Sequence, residues 1–526
     1  MEDFIKNPKD QIKSEIEQFS TDRINFKLSL RKKKFNNLLT KKRIYPSQLN
    51  SSEWQYELFF SNLVIPENCK KDFSDNDELI SSALIYMKSD DINTAKYGIY
   101  QIKTFISNFM DYNTLFFNLN FISDILNLLE KWGERKEKQL VFNILYIMVD
   151  YSYINSNKTI TKILLSSKRY KIWDLCFDLQ DYEIMSQLVW ILNNIISGDK
   201  ESTYNLLKSN FFQKKIFNFY SNPTIMNHLN ENNEKNKFYI IIDRGITLLT
   251  NLLFAECKSC YEQEETYRLT KPILELVLKY SKTNSSKIFL SCIYLINIAI
   301  EKEPRLIDLL DNSDILNDIL NKKFFSHENS LFHCNRIIGQ YICFKAGISQ
   351  DFYDKCLNYE IDTFFGMKSY LIKKEVFWIL SNILHDNIKS GKNLSKNEEF
   401  INKIFDFYKN TFNLEDIGEL CNLFLLLIRD NDICTFFEFI NKGLLDITLE
   451  HIKNIYNEPK SLKNVLELIY LCLDIGQLGE NELEKRNIIK ERCEHFGLRE
   501  LLTKYEDSED EEICKVVEKI IKNFYY

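Results

Sequence analysis

Glycine and proline are scarce in this sequence. Only 13 glycines and 7 prolines occur among 526 residues, whereas these two residue types make up roughly 12% of an average protein. So few turn residues exclude sandwiches, barrels and Gly-rich phosphate loops as the main architecture. Because the shares of apolar and charged residues, 45% and 27%, are ordinary for a soluble protein, the composition predicts a long all-α chain.

Long apolar runs, targeting signals and catalytic motifs are also missing. The longest nearly uncharged apolar stretch, residues 288–300, is shorter than the ~18 residues that a membrane-spanning helix needs, so we expect no membrane insertion. The N-terminus lacks the basic start and apolar stretch of a secretory signal. No phosphate-loop, nucleophile-elbow or zincin motif occurs. The six histidines are dispersed, and we therefore predict no enzymatic activity, no metal and no cofactor.

The 13 cysteines are scattered and odd in number. Many lie in apolar helical runs, where cysteine behaves as a small buried hydrophobe, as at Cys292 and Cys472. A reducing compartment fits this usage best. Cys257 and Cys260 have the spacing of half a metal site, but no second pair follows them, so the sequence disfavours a metal there.

Charge is distributed unevenly along the chain. Residues 1–44 carry twelve Lys and Arg against six acids, a net charge of +6. Because the whole chain has a net charge of −7, residues 45–526 carry −13. A basic tail of this kind binds nucleic acid, an acidic partner or its own acidic body. Because the body is acidic over hundreds of residues, we rank protein binding above direct nucleic-acid binding.

The body of the chain contains a repeated pattern. Residues 187–195 and 375–383 both contain Val, Trp, Ile-Leu and Asn-Ile, so that a Trp precedes an Asn by four residues. We call these paired positions the ladder positions. The weaker copies are Phe142/Tyr146, Thr247/Asn251, Ile293/Asn297, Arg336/Gln340 and Asn422/Leu426, with degenerate copies in residues 95–107 and 466–476. The spacing matches the ~40 to 47 residues of armadillo and HEAT repeats, and it predicts about nine or ten units in one continuous solenoid.

The spacing of four residues suggests a binding surface. Residues i and i+4 lie on one face of a helix, so each pair presents a ring beside a carboxamide. Carboxamides can hydrogen-bond the backbone of an extended peptide, and indoles form slots for Lys or Arg side chains through cation–π attraction. Glu375 and Glu419 stand three residues before ladder positions, and Asp199 follows Asn194. These residues predict an extended Lys/Arg-rich ligand, although a lone Trp, such as Trp173, is more often part of a core.

These segments resemble importin α, the adaptor that carries nuclear-localisation-signal cargo. Residues 373–383 are similar to the seventh armadillo repeat of that family, 190–199 to the third, and 336–340 to the sixth. The C-terminal run from Glu494 to Phe524 looks like the closing helices of the family. The resemblance implies a right-handed superhelical armadillo solenoid over residues 70–526, preceded by a basic helical arm at residues 1–50.

The basic arm resembles the importin-β-binding segment of the same family. The matching residues are Leu28, Leu30, Arg31, Lys32, Lys34, Lys41, Lys42 and Arg43. The resemblance implies that the arm binds importin β, and that residues 41–43 occupy the adaptor's own groove when no carrier is bound. It also implies an export receptor for recycling and shuttling between cytoplasm and nucleus.

The resemblance assigns cargo-signal binding to a set of groove residues. They are Trp190, Asn194, Asp199, Asn251, Arg336, Gln340, Glu375, Trp378, Asn382 and Glu419. The chain departs from the family at Phe142/Tyr146, at Thr247 and at Asn422/Leu426. The sequence therefore predicts a divergent nuclear import adaptor. A non-transport armadillo scaffold, at cytoskeletal or ciliary structures, is the alternative, and an enzyme is a remote third class.

Overall fold

A computed structural model of the protein describes most of the chain beyond residue 62. The described residues are 63–69, 73, 76–108, 119–154, 162–166, 169–196, 200–227, 237–253, 260–283, 285–321, 328–429, 431–455, 458–479, 487–506 and 508–525. These residues form helices and connecting turns, and no strand occurs among them. The prediction of an all-α fold is confirmed.

The chain divides into two compact units, Met1–Ile315 and Leu316–Tyr526. In the first unit the described α-helices are α1 (Asn76–Met87), α2 (Ile92–Asn108), α3 (Leu119–Glu134), α4 (Lys138–Ile154), α5 (Tyr170–Asp178), α6 (Tyr182–Ile196), α7 (Lys200–Lys208), α8 (Phe217–Tyr220), α9 (Pro223–Asn227), α10 (Lys237–Leu253), α11 (Cys260–Tyr280), α12 (Ser286–Lys302) and α13 (Asp308–Asp311). A π-helical turn, Phe212–Ile216, leads into α8, and a 3₁₀ turn, Pro304–Ile307, leads into α13.

Helix α14 (Ile315–Asn321) contains the boundary between the units. The second unit continues with α15 (Glu328–Phe344), α16 (Gln350–Gly366), α17 (Tyr370–Asp386), α18 (Ile388–Ser395), α19 (Glu398–Asn410), α20 (Leu414–Arg429), α21 (Ile433–Asn441), α22 (Leu444–Ile452), α23 (Pro459–Gly479), α24 (Ile488–Phe496), α25 (Leu498–Leu502) and α26 (Glu511–Phe524).

Short polar side chains and glycines set the helix boundaries. Ser349 accepts a hydrogen bond from the Phe352 backbone N–H at 3.3 Å, which caps the start of α16. Asp432 caps α21 in the same way, because its carboxylate accepts a hydrogen bond from the Thr435 backbone N–H at 2.9 Å. Such caps satisfy backbone donors that the first turn of a helix leaves unpaired. Gly443 has a φ of 93°, a left-handed conformation that turns the chain from α21 into α22.

Successive long helices pack on one another within each unit. In the first unit α2 packs on α4, α4 on α6, α6 on α10 and α10 on α12. In the second unit α15 packs on α17, α17 on α20 and α20 on α23. We call these nine the ladder helices, because every copy of the ladder positions lies on one of them. Such stacking of neighbours in sequence order is consistent with an α solenoid.

Bulky side chains and cysteines fill the contacts between helices. Phe405 packs against Phe424 with ring centroids 4.9 Å apart, and Phe424 also meets Tyr408 at 5.3 Å. Cys292 and Cys472 are fully buried, as their apolar surroundings predict. Burial raises the pKa of both thiols above the usual range for cysteine. Among the described residues no helix has the length and apolar character needed to cross a membrane.

Candidate functional site

Trp190 and Asn194 lie on α6, a ladder helix that is buried over nearly its whole length. Asp181 begins this helix by accepting hydrogen bonds from the backbone N–H groups of Glu183 and Ile184, at 3.0 and 3.1 Å. Every residue from 183 to 196 is buried, which is the behaviour of a helix that is apolar on all sides. Only 5% of the Trp190 surface is exposed, so its indole is not an open slot.

Arg244 covers the indole of Trp190. Its guanidinium carbon lies 4.0 Å from the ring centroid, and its Nη1 donates to Ser186 Oγ at 2.7 Å. Arg244 lies on α10, one turn before Thr247, and is only 4% exposed. Burial lowers the pKa of its guanidinium to about 9, which still leaves the group charged at neutral pH. The protein's own arginine thus makes the contact that the sequence assigned to a ligand cation.

The predicted carboxamides of the first unit hydrogen-bond within the protein. Asn194 Nδ2 donates to the Val149 carbonyl at 3.4 Å, which joins α6 to α4. Asn251 is half-buried, and its Nδ2 donates to Asn193 Oδ1 at 3.3 Å. Both side chains therefore connect neighbouring ladder helices. The predicted acid Asp199 lies outside the described residues.

The indole of Trp378 lies directly against the preceding ladder helix of the second unit. A Cβ built on Gly339 of α15 would stand 2.1 Å from Trp378 Cζ3, so the ring occupies the space that a side chain at 339 would fill. The indole is 2% exposed. Sequence reasoning missed the role of Gly339, although a glycine between two ladder positions was a signal of close helix approach.

Arg336 and Glu375 form a buried ion pair beside this indole. Arg336 Nη1 lies 3.6 Å from Glu375 Oε2, and both side chains are almost fully buried. The guanidinium carbon of Arg336 also stands 5.5 Å from the Trp378 ring centroid, within cation–π range. The structure thus brings three predicted residues together, and the predicted acid neutralises a cation of the protein itself.

A third aromatic ladder residue, Tyr146, also has a cation of the protein itself near its ring. Tyr146 on α4 has Lys103 Nζ 4.3 Å from its ring centroid, and Lys103 also donates to Asn143 Oδ1 at 3.1 Å. In all three cases the cation comes from a neighbouring ladder helix. The rings therefore hold the stacked helices together by cation–π contacts.

Several polar atoms at ladder positions have no hydrogen-bond partner within the described chain. They are Trp190 Nε1, both Gln340 Oε1 and Gln340 Nε2, and Asn382 Nδ2. Gln340 is 0% exposed, and leaving its amide unpaired costs roughly 1 to 3 kcal/mol per group. Asn382 is half-buried and lies four residues after Trp378 on the least buried face of α17.

Carboxylates line the contact between α17 and α20. Lys374 forms an ion pair with Glu415, one residue before the buried Asp416. Burial, with smaller contributions from Glu415 and Glu419, raises the pKa of Asp416 to about 6, although Lys374 opposes the shift. The predicted acid Glu419 is buried on the same helix, next to the half-buried Asn422. Sequence reasoning selected Glu419 and missed Asp416, which precedes it by three residues.

One weaker copy of the pattern, on α12, is fully buried at both of its ladder positions. On α12, Ile293 and Asn297 are fully buried, whereas Ser291 and Tyr294 are half-buried. Tyr294, one residue later, is less buried than Ile293, although its hydroxyl oxygen is itself buried. Residues 288–300 are almost uniformly apolar, so the sequence pattern had no polar face to fix its register.

The predicted importin-β-binding residues Leu28, Leu30, Arg31, Lys32, Lys34, Lys41, Lys42 and Arg43 lie outside the described residues. Cys257 does as well. Within the described residues no group of three His, Cys, Asp or Glu side chains is arranged to hold a metal ion. The buried His451 contacts the Tyr408 carbonyl at 2.8 Å, and burial lowers its pKa.

Comparison with known proteins supports the fold class. No family model and no curated protein matches the sequence. An engineered protein solved by a structural genomics consortium is similar over 85% of this chain and 99% of its own, with a TM-score of 0.60 and 10% identity. A structure from work on the phosphorylation-controlled interaction between cadherin and β-catenin is similar over 89% of this chain and 94% of its own, with a TM-score of 0.56 and 11% identity. At such low identity these similarities concern the helical fold alone.

Proposed function

We propose that the protein is an adaptor that binds an extended, Lys/Arg-rich peptide along its ladder helices. The observation that carries this proposal is the set of ladder polar groups without a hydrogen-bond partner, above all Gln340 and Asn382 beside Trp378. Side-chain amides at successive helices can pair with the backbone N–H and C=O groups of an extended peptide, which has no internal partners.

Charge supports a cationic ligand in the second unit. Glu375, Asp416 and Glu419 all lie on α17 and α20, where Asn382 and Asn422 are the more exposed ladder residues. The carboxyl of Asp416, whose pKa is raised to about 6, remains largely ionised at neutral pH, so it favours ammonium or guanidinium groups nearby. Asn382 is where the peptide first meets these amides, because residue 382 is half-buried while Gln340 is fully covered.

In its specific form the proposal is nuclear import. The groove binds nuclear localisation signals of cargo proteins, the arm at residues 1–50 binds importin β, and an export receptor returns the adaptor, which shuttles between cytoplasm and nucleus. The support is the sequence resemblance of residues 28–43 and the opposite charges of arm and body, +6 and −13. A linked basic segment competes with free ligand at high effective concentration, so the arm is autoinhibitory until importin β removes it.

A non-transport scaffold is the second candidate function. It is favoured by the internal cations on Tyr146, Trp190 and Trp378, because rings that already hold a cation bind a neutral peptide as readily as a basic one. Capture of purified importin β by the segment 1–50 distinguishes the two functions. Retention of importin β supports the import adaptor, and its absence favours the scaffold.

Peptide binding itself is tested with single substitutions in the full chain. We expect Asn382→Ala to weaken binding of a fluorescent Lys/Arg-rich peptide about 3- to 10-fold in an anisotropy titration, the effect of one lost hydrogen bond. Asn410→Ala is the matched control, since Asn410 is an exposed residue of α19 that donates only to Asp406 of its own helix. Equal affinities of the two variants would contradict the groove assignment.

A further inference from the structure

Two lysines of the second unit, Lys373 on α17 and Lys403 on α19, lie near each other without a counter-ion. Neither side chain forms an ion pair or a hydrogen bond with any described residue. The acids nearest to Lys403 along α19 are Glu399 and Asp406, one turn to either side, and neither lies within ion-pair distance of it. Burial, and then the charge of Lys403, lower the pKa of Lys373. A half-buried ammonium beside a like charge favours a bound anion.

Aromatic rings hold both ammonium groups in place. Lys373 Nζ lies 5.2 Å from the ring centroid of Phe364 and 5.3 Å from that of Phe407. Lys403 Nζ lies 5.5 Å from the ring centroid of Phe365. All three distances are within cation–π range. The rings belong to α16 and α19, which are not ladder helices, so these lysines lie outside the proposed peptide groove.

Exposed apolar side chains adjoin the two lysines. Tyr370 and Leu371, in the first turn of α17, are 57% and 54% exposed, and Phe412, just before α20, is 89% exposed. The Tyr370 ring lies 5.3 Å from Phe407, whose ring is also near Lys373. Leu371 and Phe412 each precede by three residues a member of the ion pair that joins α17 to α20. The exposed apolar groups therefore gather at one edge of the second unit, which is typical of a surface that binds another protein.

We propose that this edge binds an acidic peptide of a partner protein, in which Asp or Glu residues stand beside large apolar residues. We call it the lysine–aromatic surface, and it consists of Tyr370, Leu371, Lys373, Lys403 and Phe412. The carboxylates of the peptide supply the counter-charge that the described chain lacks at the lysines, and its apolar residues cover the exposed rings.

The lysine–aromatic surface is independent of the proposed groove for basic peptides. Lys373 and Asn382 are nine residues apart on α17, and nine residues at 3.6 per turn place them on opposite faces of the helix. The two surfaces take ligands of opposite charge, so the failure of one assignment leaves the other unaffected.

Anisotropy titrations of the full chain with a fluorescent peptide of Glu, Asp, Leu and Phe test the charged part of this surface. We expect Lys403→Gln to weaken binding roughly two- to fivefold, the usual effect of one exposed ion pair. Lys389→Gln is the matched control, because Lys389 is an exposed lysine of α18, beside the opposite end of α17. Equal losses in the two variants would show that the peptide responds only to net charge, and would overturn the inference.

The apolar part is tested with Phe412→Ser in the same titration. Phe412 is exposed, so the change leaves the fold intact, and we expect binding of the acidic peptide to weaken about tenfold through lost apolar contact. Ile388→Ser, at the 49% exposed Ile388, is the control. The inference is wrong if the unmodified chain does not bind the acidic peptide or if the two serine variants bind it equally. A dimer of the chain that Phe412→Ser dissociates, without binding of the peptide, would assign the surface to a second copy instead.

Discussion

Gly339 and Trp378 are in such close contact that a Cβ at residue 339 would lie 2.1 Å from the indole Cζ3. Indole and helix backbone therefore touch directly, and the glycine sets the separation of α15 and α17 at this point. The contact fixes the ring on which Arg336 rests and positions Asn382, one turn further along the same helix.

We predict that Gly339→Ala displaces the indole and lowers the free energy of unfolding by about 1 to 3 kcal/mol, the usual cost of overpacking. Chemical denaturation monitored by tryptophan fluorescence measures the change. Gly366→Ala is the matched control, because a Cβ at Gly366 meets no atom within 4 Å, and alanine is a better helix former by up to about 1 kcal/mol. A Gly339→Ala variant as stable as Gly366→Ala would show that the ring does not need the glycine.

Asp416 should make binding of a basic peptide depend on pH. Its pKa of about 6 is above the usual value for aspartate, so the carboxyl is mostly neutral at pH 5 and mostly ionised at pH 7. We expect affinity to rise about fivefold over this interval, which corresponds to one charge acting at roughly 8 Å through an intermediate dielectric. Anisotropy titrations at several pH values measure the change.

The control for this prediction is Asp416→Asn, which keeps the size of the side chain and cannot ionise. The Asp416 contribution is the difference between the two pH profiles. If the affinities of the unmodified chain and of Asp416→Asn differ by the same factor at every pH from 5 to 7, ionisation of Asp416 does not contribute to binding.

Glu360 makes stability depend on pH in the opposite direction from an acid whose pKa is lowered on folding. It is fully buried, it accepts from Asn335 Nδ2 at 3.2 Å, and burial and then Glu375 raise its pKa well above 4.5. The folded protein therefore holds a proton that the unfolded chain releases near pH 4.5. The contribution to stability is fully present below that pH and is lost as pH rises toward the folded pKa, by up to about 1.4 kcal/mol per pH unit.

We predict that Glu360→Gln, which keeps the acceptor and cannot ionise, becomes more stable than the unmodified protein as pH rises. Thermal unfolding of both chains from pH 5 to 9 measures this, and the gap in melting temperature should widen with pH. A gap of the same size at every pH would mean that Glu360 does not titrate in this window.

Removal of residues 1–44 should strengthen binding of a free basic peptide. The segment has a net charge of +6 and belongs to a chain whose remainder carries −13, so we expect it to compete with the free peptide at high effective concentration. Titration of the full chain and of residues 45–526 with one labelled peptide measures the difference. Weaker binding after truncation would contradict autoinhibition.

The helical class and the positions of the two tryptophans were predictable from sequence. Few glycines and prolines exclude most other folds, and the shared Trp-to-Asn spacing places Trp190 and Trp378 at equivalent positions of α6 and α17, each within its own unit. Such patterns depend only on residues close together in the chain, so a single sequence contains them.

The contacts of those tryptophans were not predictable. Arg244 follows Trp190 only after a step that contains the polar stretch 230–237, and nothing in the local pattern specifies that α10 brings its arginine onto the indole. Likewise, the spacing of Glu375 from Trp378 predicts that this carboxylate binds a basic group of a ligand, whereas in the structure it forms an ion pair with Arg336. Satisfaction of a buried charge depends on tertiary packing, which short-range spacing does not encode.

The central claim is that an extended basic peptide lies across the ladder helices of the second unit. The most direct measurement is a crystal or cryo-EM structure of the full chain with a bound Lys/Arg-rich peptide. The account predicts peptide backbone atoms within hydrogen-bond distance of Asn382, Arg336 displaced from Trp378, and a ligand cation close to Glu375. A bound peptide on another surface, with Arg336 still between Trp378 and Glu375, would contradict it.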